Sequence, residues 1–419
     1  MTIRMGGSSV QSGTQMIAEW LRPRRIVIAS LGATMAVVAV VALATSGGGE
    51  PAQVAARSYR TYAPADGKQV IAQVPARDPR EVAMRRTLRD QPARVDLAVQ
   101  LARIDIQRSR ALSDPRYLGR AQATLARWYQ LSPPPPDVQL LRATIRQSLH
   151  DFPGARADLD QLIAVRPRDA QAHLTRAVVA TITADYAAAR ESCARIAELA
   201  DPLVAATCIA PVDALTGHLA EAASQLANAI AAAAGAPPQL QTFAITAAAE
   251  LAIMAGDYAT AEARFREVLA IDPDDAYARA GLADVLMWRG KPAEASALLA
   301  GRESIDNLLV RRAIAEHAAA GPEAAKWSKA MSDRIAAAAE RGDRIHMREE
   351  AMFTLEVVGD AKRALAIALD DWAVQKELAD ARLVAACAVA AGEPAAAEPI
   401  RAWMRTNHIA DAQLGKLLP

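Results

Sequence analysis

From about residue 80 to the C-terminus, apolar positions recur every three to four residues, in segments of 12–15 residues separated by short Gly, Asp or Pro breaks. That spacing predicts a succession of amphipathic helices, and no strand-like alternation of useful length interrupts it. Upstream the pattern differs. Ile26 to Thr45 gives twenty consecutive positions without a charge, about 30 Å of helix and the thickness of a bilayer's hydrocarbon core. Residues 46–79 hold three consecutive glycines with Pro51, Pro64, Pro75 and Pro79, and read as a flexible tether. The chain therefore divides into a short tail (1–25), a transmembrane helix (26–45), a Gly/Pro tether (46–79) and a helical repeat domain (80–419).

Arg22, Arg24 and Arg25 precede the apolar span, and Trp20 stands at its headgroup side. The positive-inside bias keeps such an N-terminus cytoplasmic and sends the repeat domain across the membrane. A cleaved signal peptide ending near Ala42-Leu43-Ala44 is the rival reading, and the length of the apolar run and of its leader argue for an uncleaved anchor. The expected location is thus a plasma (inner) membrane, single-pass, with a periplasmic or otherwise extracytoplasmic repeat domain. A composition of 41 Arg to 7 Lys points to a bacterial source.

Self-similarity organises the repeat domain. Gly256-Asp257-Tyr258 is followed by Ala261, Phe265, Val268 and Pro273, and Gly290, Ala295 and Leu299 repeat these positions 34 residues later. Asp151-Phe152 with Ala155 and Leu159 gives an upstream copy, as do Asp185-Tyr186 with Ala189 and Cys193, and Gly217 with Ala222 and Leu226. Gly359 with Ala364 and Gly392 with Ala397 extend the series, and Tyr117, Ala121 and Leu125 begin it. Three places depart: the Pro133–Pro136 run reads as a stiff spacer, Ala231–Pro238 adds about four residues, and Ser304–Met347 is off-register.

These residues resemble the tetratricopeptide repeat family, whose unit is a pair of antiparallel helices. The resemblance implies an all-α fold, a right-handed α-solenoid of stacked helix pairs with a concave groove lined by the first (A) helix of each unit. Gly or Asp is expected to end helix A, the small residue to let helix B approach, the large one to fill the gap and Pro to stop helix B. It places Leu140, Thr144, Leu174, Val178, Thr246, Glu250, Ala280 and Asp284 at groove positions, where they either meet a partner or contact neighbouring helices. The Lys, Arg and Asn residues with which some members clamp peptide carboxylates are not supplied. The implied function is non-catalytic: a scaffold or assembly factor holding a partner protein, with a cytoplasm-facing regulatory adaptor or a subunit of an enzyme complex as alternatives.

Apolar residues make up 52% of the chain and aromatics only 4%, a helix-forming balance. No phosphate loop, nucleophile elbow, Cys-x-x-Cys or His-Glu-x-x-His occurs, and the six histidines are scattered, so no catalytic residue, metal, cofactor or small-molecule substrate is expected. Cys193 and Cys208 fall on adjoining helices and stand either as a disulfide or as two small buried residues, with Cys387 left over. Net charge is +1, yet residues 51–130 hold 15 cations against 7 acids and residues 131–419 hold 29 against 38. The basic segment can face anionic lipid or solvent. Without a basic stripe carrying aromatics, nucleic acid is not an expected partner.

Overall fold

The computed structural model describes residues 78–112, 114–341 and 347–419. Among them every regular element is helical. α1 (Pro79–Asp90) precedes nine helix hairpins. The first five are α2 (Val95–Leu112) with α3 (Arg116–Tyr129), α4 (Pro136–Ser148) with α5 (Phe152–Val165), α6 (Ala170–Ile182) with α7 (Tyr186–Leu199), α8 (Pro202–Ala214) with α9 (Leu219–Ala232), and α10 (Pro238–Ala255) with α11 (Tyr258–Ile271). The next are α12 (Ala276–Trp288) with α13 (Pro292–Leu299) and α14 (Asp306–Ala318) with α15 (Ala324–Arg341). Then come α16 (Met347–Phe353, prolonged by a π segment Thr354–Val358) with α17 (Ala361–Val374), and α18 (Leu378–Ala390) with α19 (Glu398–Asn407). α20 (Ala412–Leu417) ends the chain.

Backbone geometry marks the repeat more sharply than side-chain type does. The turn from A helix to B helix places one residue in the left-handed region at His150, Ala184, Gly217, Gly256, Gly290, Ala320, Gly359 and Gly392. Successive steps are 34, 33, 39, 34, 30, 39 and 33 residues. The 39-residue step after Gly217 contains the inserted Ala231–Pro238 stretch. The 30 and 39 on either side of Ala320 are the off-register region, which is an ordinary hairpin of displaced phase. Glycine suits this position because it has no Cβ to clash with the next carbonyl. Ala184, at φ 57°, bears that strain. Replacing it by Gly is expected to stabilise the protein by about 1 kcal/mol, and a melting temperature that falls would contradict the assignment.

Asp plays a different part from the one the repeat pattern implied. It does not end helix A; it caps the start of the following helix. Asp151 accepts from Gly154 N (2.9 Å), Asp257 from Thr260 N (3.0 Å) and Asp275 from Ala278 N (2.8 Å), each satisfying an otherwise orphaned amide. Five residues beyond the left-handed turn, Ala155, Ala189, Ala222, Ala261 and Ala295 are fully enclosed between helices. Phe265 fills the gap one turn later, and its ring reaches the bare Cα of Gly281, where a Cβ would stand 2.4 Å from Cζ. Tyr258 meets Trp288 at a tilt, with ring centroids 5.7 Å apart, and Pro273 lies in the turn between α11 and α12. The proline run is shorter as a spacer than expected, because Pro136 already opens α4.

Cys193 on α7 and Cys208 on α8 form a disulfide with Cα atoms 5.6 Å apart, tying one unit's B helix to the next unit's A helix, while Cys387 is buried and free. The apolar span Ile26–Thr45 lies outside the described residues. Among those described, no helix is long and apolar enough to cross a membrane.

One departure from the expected open groove governs everything that follows. The last units fold back onto the middle of the array. Trp403 on α19 donates through Nε1 to Tyr186 Oη on α7 (3.1 Å), across 217 residues of sequence. Lys376 N donates to Ile182 O (2.8 Å), and Gly217 and Gly256 abut His408 and Ala412. One continuous apolar core includes Leu174, Tyr186, Leu203 and Phe243 with Trp372, Val384, Ile400 and Trp403. The solenoid closes upon itself.

Candidate functional site

Closure turns the concave face into a deep, half-open cavity. Side chains from α6, α8, α10, α12, α14, α16, α18 and α20 surround a volume of about 760 Å³, within the range of cavities that hold small ligands or short peptide segments. Much of the wall is flexible and apolar: Met254, Met287, Met352, Leu251, Ile314 and Leu355. Of the groove positions read from sequence, Val178, Glu250, Ala280 and Asp284 line this cavity. Leu140 instead packs with Phe152 and Leu159 in the core of the second hairpin, and Leu174 lies in the main core. Thr144 is buried with its hydroxyl on Leu140 O (2.9 Å), and Thr246 is half-buried on α10 away from the wall. The first A helices stand ahead of the closed part, so their inward faces meet helices rather than open space.

Sequence reading found Glu250 and Asp284 but missed the wall's arginines, Arg311, Arg348 and Arg382, and the structure gives the pairings a rule. Several A helices reach a neighbour across nearly one repeat length. Tyr277 donates to Glu250, 27 residues back, and Arg311 grips Asp284 with two bonds of 2.8 Å, again 27 back. Arg348 grips Asp380 and Glu377, which lie 32 and 29 residues on, and Arg382 holds Asp411, 29 on. Opposite charges spaced by about one repeat were the available signal. Burial disfavours the charged form of Arg311, yet the Asp284 carboxylate outweighs it and holds the guanidinium above its usual range.

Glu250 is the exception. Burial pushes its carboxyl up to about 8, and the nearby Glu377 adds to the rise, while the Tyr277 hydroxyl and Arg382 oppose it. No described cation is within ion-pairing distance, Arg382 being engaged with Asp411. A carboxyl that binds its proton more tightly folded than unfolded stabilises the fold fully only at low pH. Its contribution declines from its unfolded value, near 4.5, to its folded one, near 8, at about 1.4 kcal/mol per pH unit. Glu250→Gln is expected to remove that slope, leaving the variant the more stable protein at pH 8 in urea melts. Parallel pH profiles for wild type and variant would contradict it.

Among the described residues no cluster of His, Cys, Asp and Glu is arranged to hold a metal ion. Two of the described histidines serve turns and packing: His150 takes a left-handed turn position and stacks on Phe152 at 5.3 Å, and His173 bonds the carbonyl of Pro167 at 3.0 Å.

Fold and site together define a helical-repeat protein whose A-helix face lines a half-open cavity. Residues 252–308 match the family model described as tetratricopeptide repeat, and helix hairpins of the same kind continue on either side of that stretch. No curated protein matches the chain. Similar solved structures include PilW, a type IV pilus biogenesis factor (18% identity, 48% of this chain and 93% of that one, TM-score 0.38). Others are a tetratricopeptide repeat protein from Parabacteroides merdae (19%, 56% and 93%, 0.37) and a Rap protein complexed with competence and sporulation factor (13%, 80% and 92%, 0.47). At these TM-scores the likenesses carry no argument about function.

Proposed function

We propose that this protein is a non-catalytic docking scaffold that receives a segment of a partner protein in its A-helix cavity. Residues 26–45 would hold it in a membrane, with the repeat domain on the extracytoplasmic side. The half-open cavity of about 760 Å³ carries the reading: its concave wall suits an extended segment or side chains projecting from one. The Cys193–Cys208 bridge supports an oxidising compartment. Anchoring would raise the scaffold's local concentration at the membrane.

The test is a photo-crosslinking amino acid placed at Met287 on the cavity wall or at Val165 on the exposed outer surface, introduced in living cells. The reading expects one dominant partner attached from position 287 and not from 165. Equal labelling from both, or attachment only to itself, would refute it. A reporter fused after Pro419 that works only in an oxidising compartment tests topology separately. If it stays inactive, the cytoplasm-facing adaptor becomes the correct reading.

A further inference from the structure

Every arginine on the cavity wall already holds a carboxylate: Arg311 has Asp284, Arg348 has Asp380 and Glu377, and Arg382 has Asp411. A ligand carboxylate would have to displace one of these partners. Of the wall's two lysines, Lys376 donates its ammonium to Trp372 O, and Lys416, which has no acid within ion-pairing range, is exposed at the cavity's edge and solvated. Glu250 is in the opposite position. It faces the cavity from α10, is half-buried, and receives one hydrogen bond, from Tyr277. A half-buried carboxyl on a largely apolar wall, without a cation, is the group with most to gain from one. The methionine and leucine side chains around the cavity accept apolar shapes of many outlines.

Resting on the reading of the cavity as the docking site, we infer that its ligand is an apolar peptide segment bearing one ammonium group, which pairs with Glu250. The ammonium is either a lysine side chain or the free N-terminus of a chain. On binding, the Glu250 carboxyl gives its proton to solvent, and the resulting carboxylate pairs with the ammonium while Tyr277 keeps its hydrogen bond. With Glu250 held at about 8, most molecules carry that proton at pH 7 before binding.

Three probe peptides test this on the full chain by calorimetry: acetyl-Ala-Leu-Lys-Leu-Ala-amide, Ala-Leu-Gln-Leu-Ala-amide with a free N-terminus, and acetyl-Ala-Leu-Gln-Leu-Ala-amide with no ammonium. At least one ammonium peptide is expected to bind tenfold or more tightly than the third, and which one does so identifies the source. Titrations in two buffers of different ionisation enthalpy should show close to one proton released per ammonium peptide and none for the neutral one. Glu250→Gln, which is isosteric, should abolish both differences while keeping the wild-type circular dichroism. Equal binding of all three peptides would overturn the ammonium assignment and leave the cavity reading standing. Discrimination that survives in Glu250→Gln would overturn the assignment too. Binding of none would overturn the cavity as a peptide site, and the inference with it.

Discussion

Trp403→Ala is expected to destabilise the protein by about 3–5 kcal/mol, the usual cost of emptying a large aromatic site in a core. Trp403 is buried, meets Trp372 edge-on at 5.1 Å and donates its indole N–H to Tyr186 across the closure. The loss should be concentrated at the seam. Cys387, fully enclosed on α18, should react with a thiol reagent far faster in the variant, because the units that cover it part before the rest unfolds. Trp403→Phe keeps the aromatic contact and gives up only the hydrogen bond, so it should cost about 1 kcal/mol. If Trp403→Ala melts like the wild type and Cys387 stays protected, the seam does not form.

Arg348→Met is the second large effect. The guanidinium serves Asp380, which is nearly inaccessible, and Glu377, and lies near Asp371. Burial and the neighbouring Asp380 raise the Asp371 carboxyl, which is hydrogen-bonded to Asp380. Burial likewise raises Asp380, against the pull of Arg348. Without the arginine, the two carboxyls face each other uncompensated, and breaking one side of a buried pair costs about 3–5 kcal/mol. Adding Asp380→Asn should recover much of that loss, giving a coupling well above 1 kcal/mol in a double-mutant cycle of urea melts. Additive effects would show that the pair contributes no more than an exposed one.

The hairpin series was legible in the sequence because each unit repeats the same local problem. A left-handed turn, an enclosed alanine and a large residue one turn on recur at nearly constant steps, and local rules suffice to read them. The off-register unit was hidden because its residues at those two positions, Ala325 and Lys329, are exposed and carry no pattern. The closure was not legible. It depends on Tyr186 meeting Trp403 and on Gly217 admitting His408, single contacts about two hundred residues apart that leave no period. Without the closure, Leu140 and Leu174 look like groove residues as readily as Glu250 does. The wall's ion pairs were readable only with the idea that neighbouring A helices pair their charges at about one repeat length, as Asp284 and Arg311 do.

The self-closure of the solenoid is the central claim, and an engineered disulfide tests it most directly. A Cβ built on Gly217 would stand 3.0 Å from that of His408, slightly inside the separation a disulfide spans and reachable with a small shift. In the variant carrying Gly217→Cys and His408→Cys, peptide mapping without reductant should find positions 217 and 408 covalently linked, with Cys193 still joined to Cys208. An open superhelix would hold the two new thiols apart, and both would be recovered free.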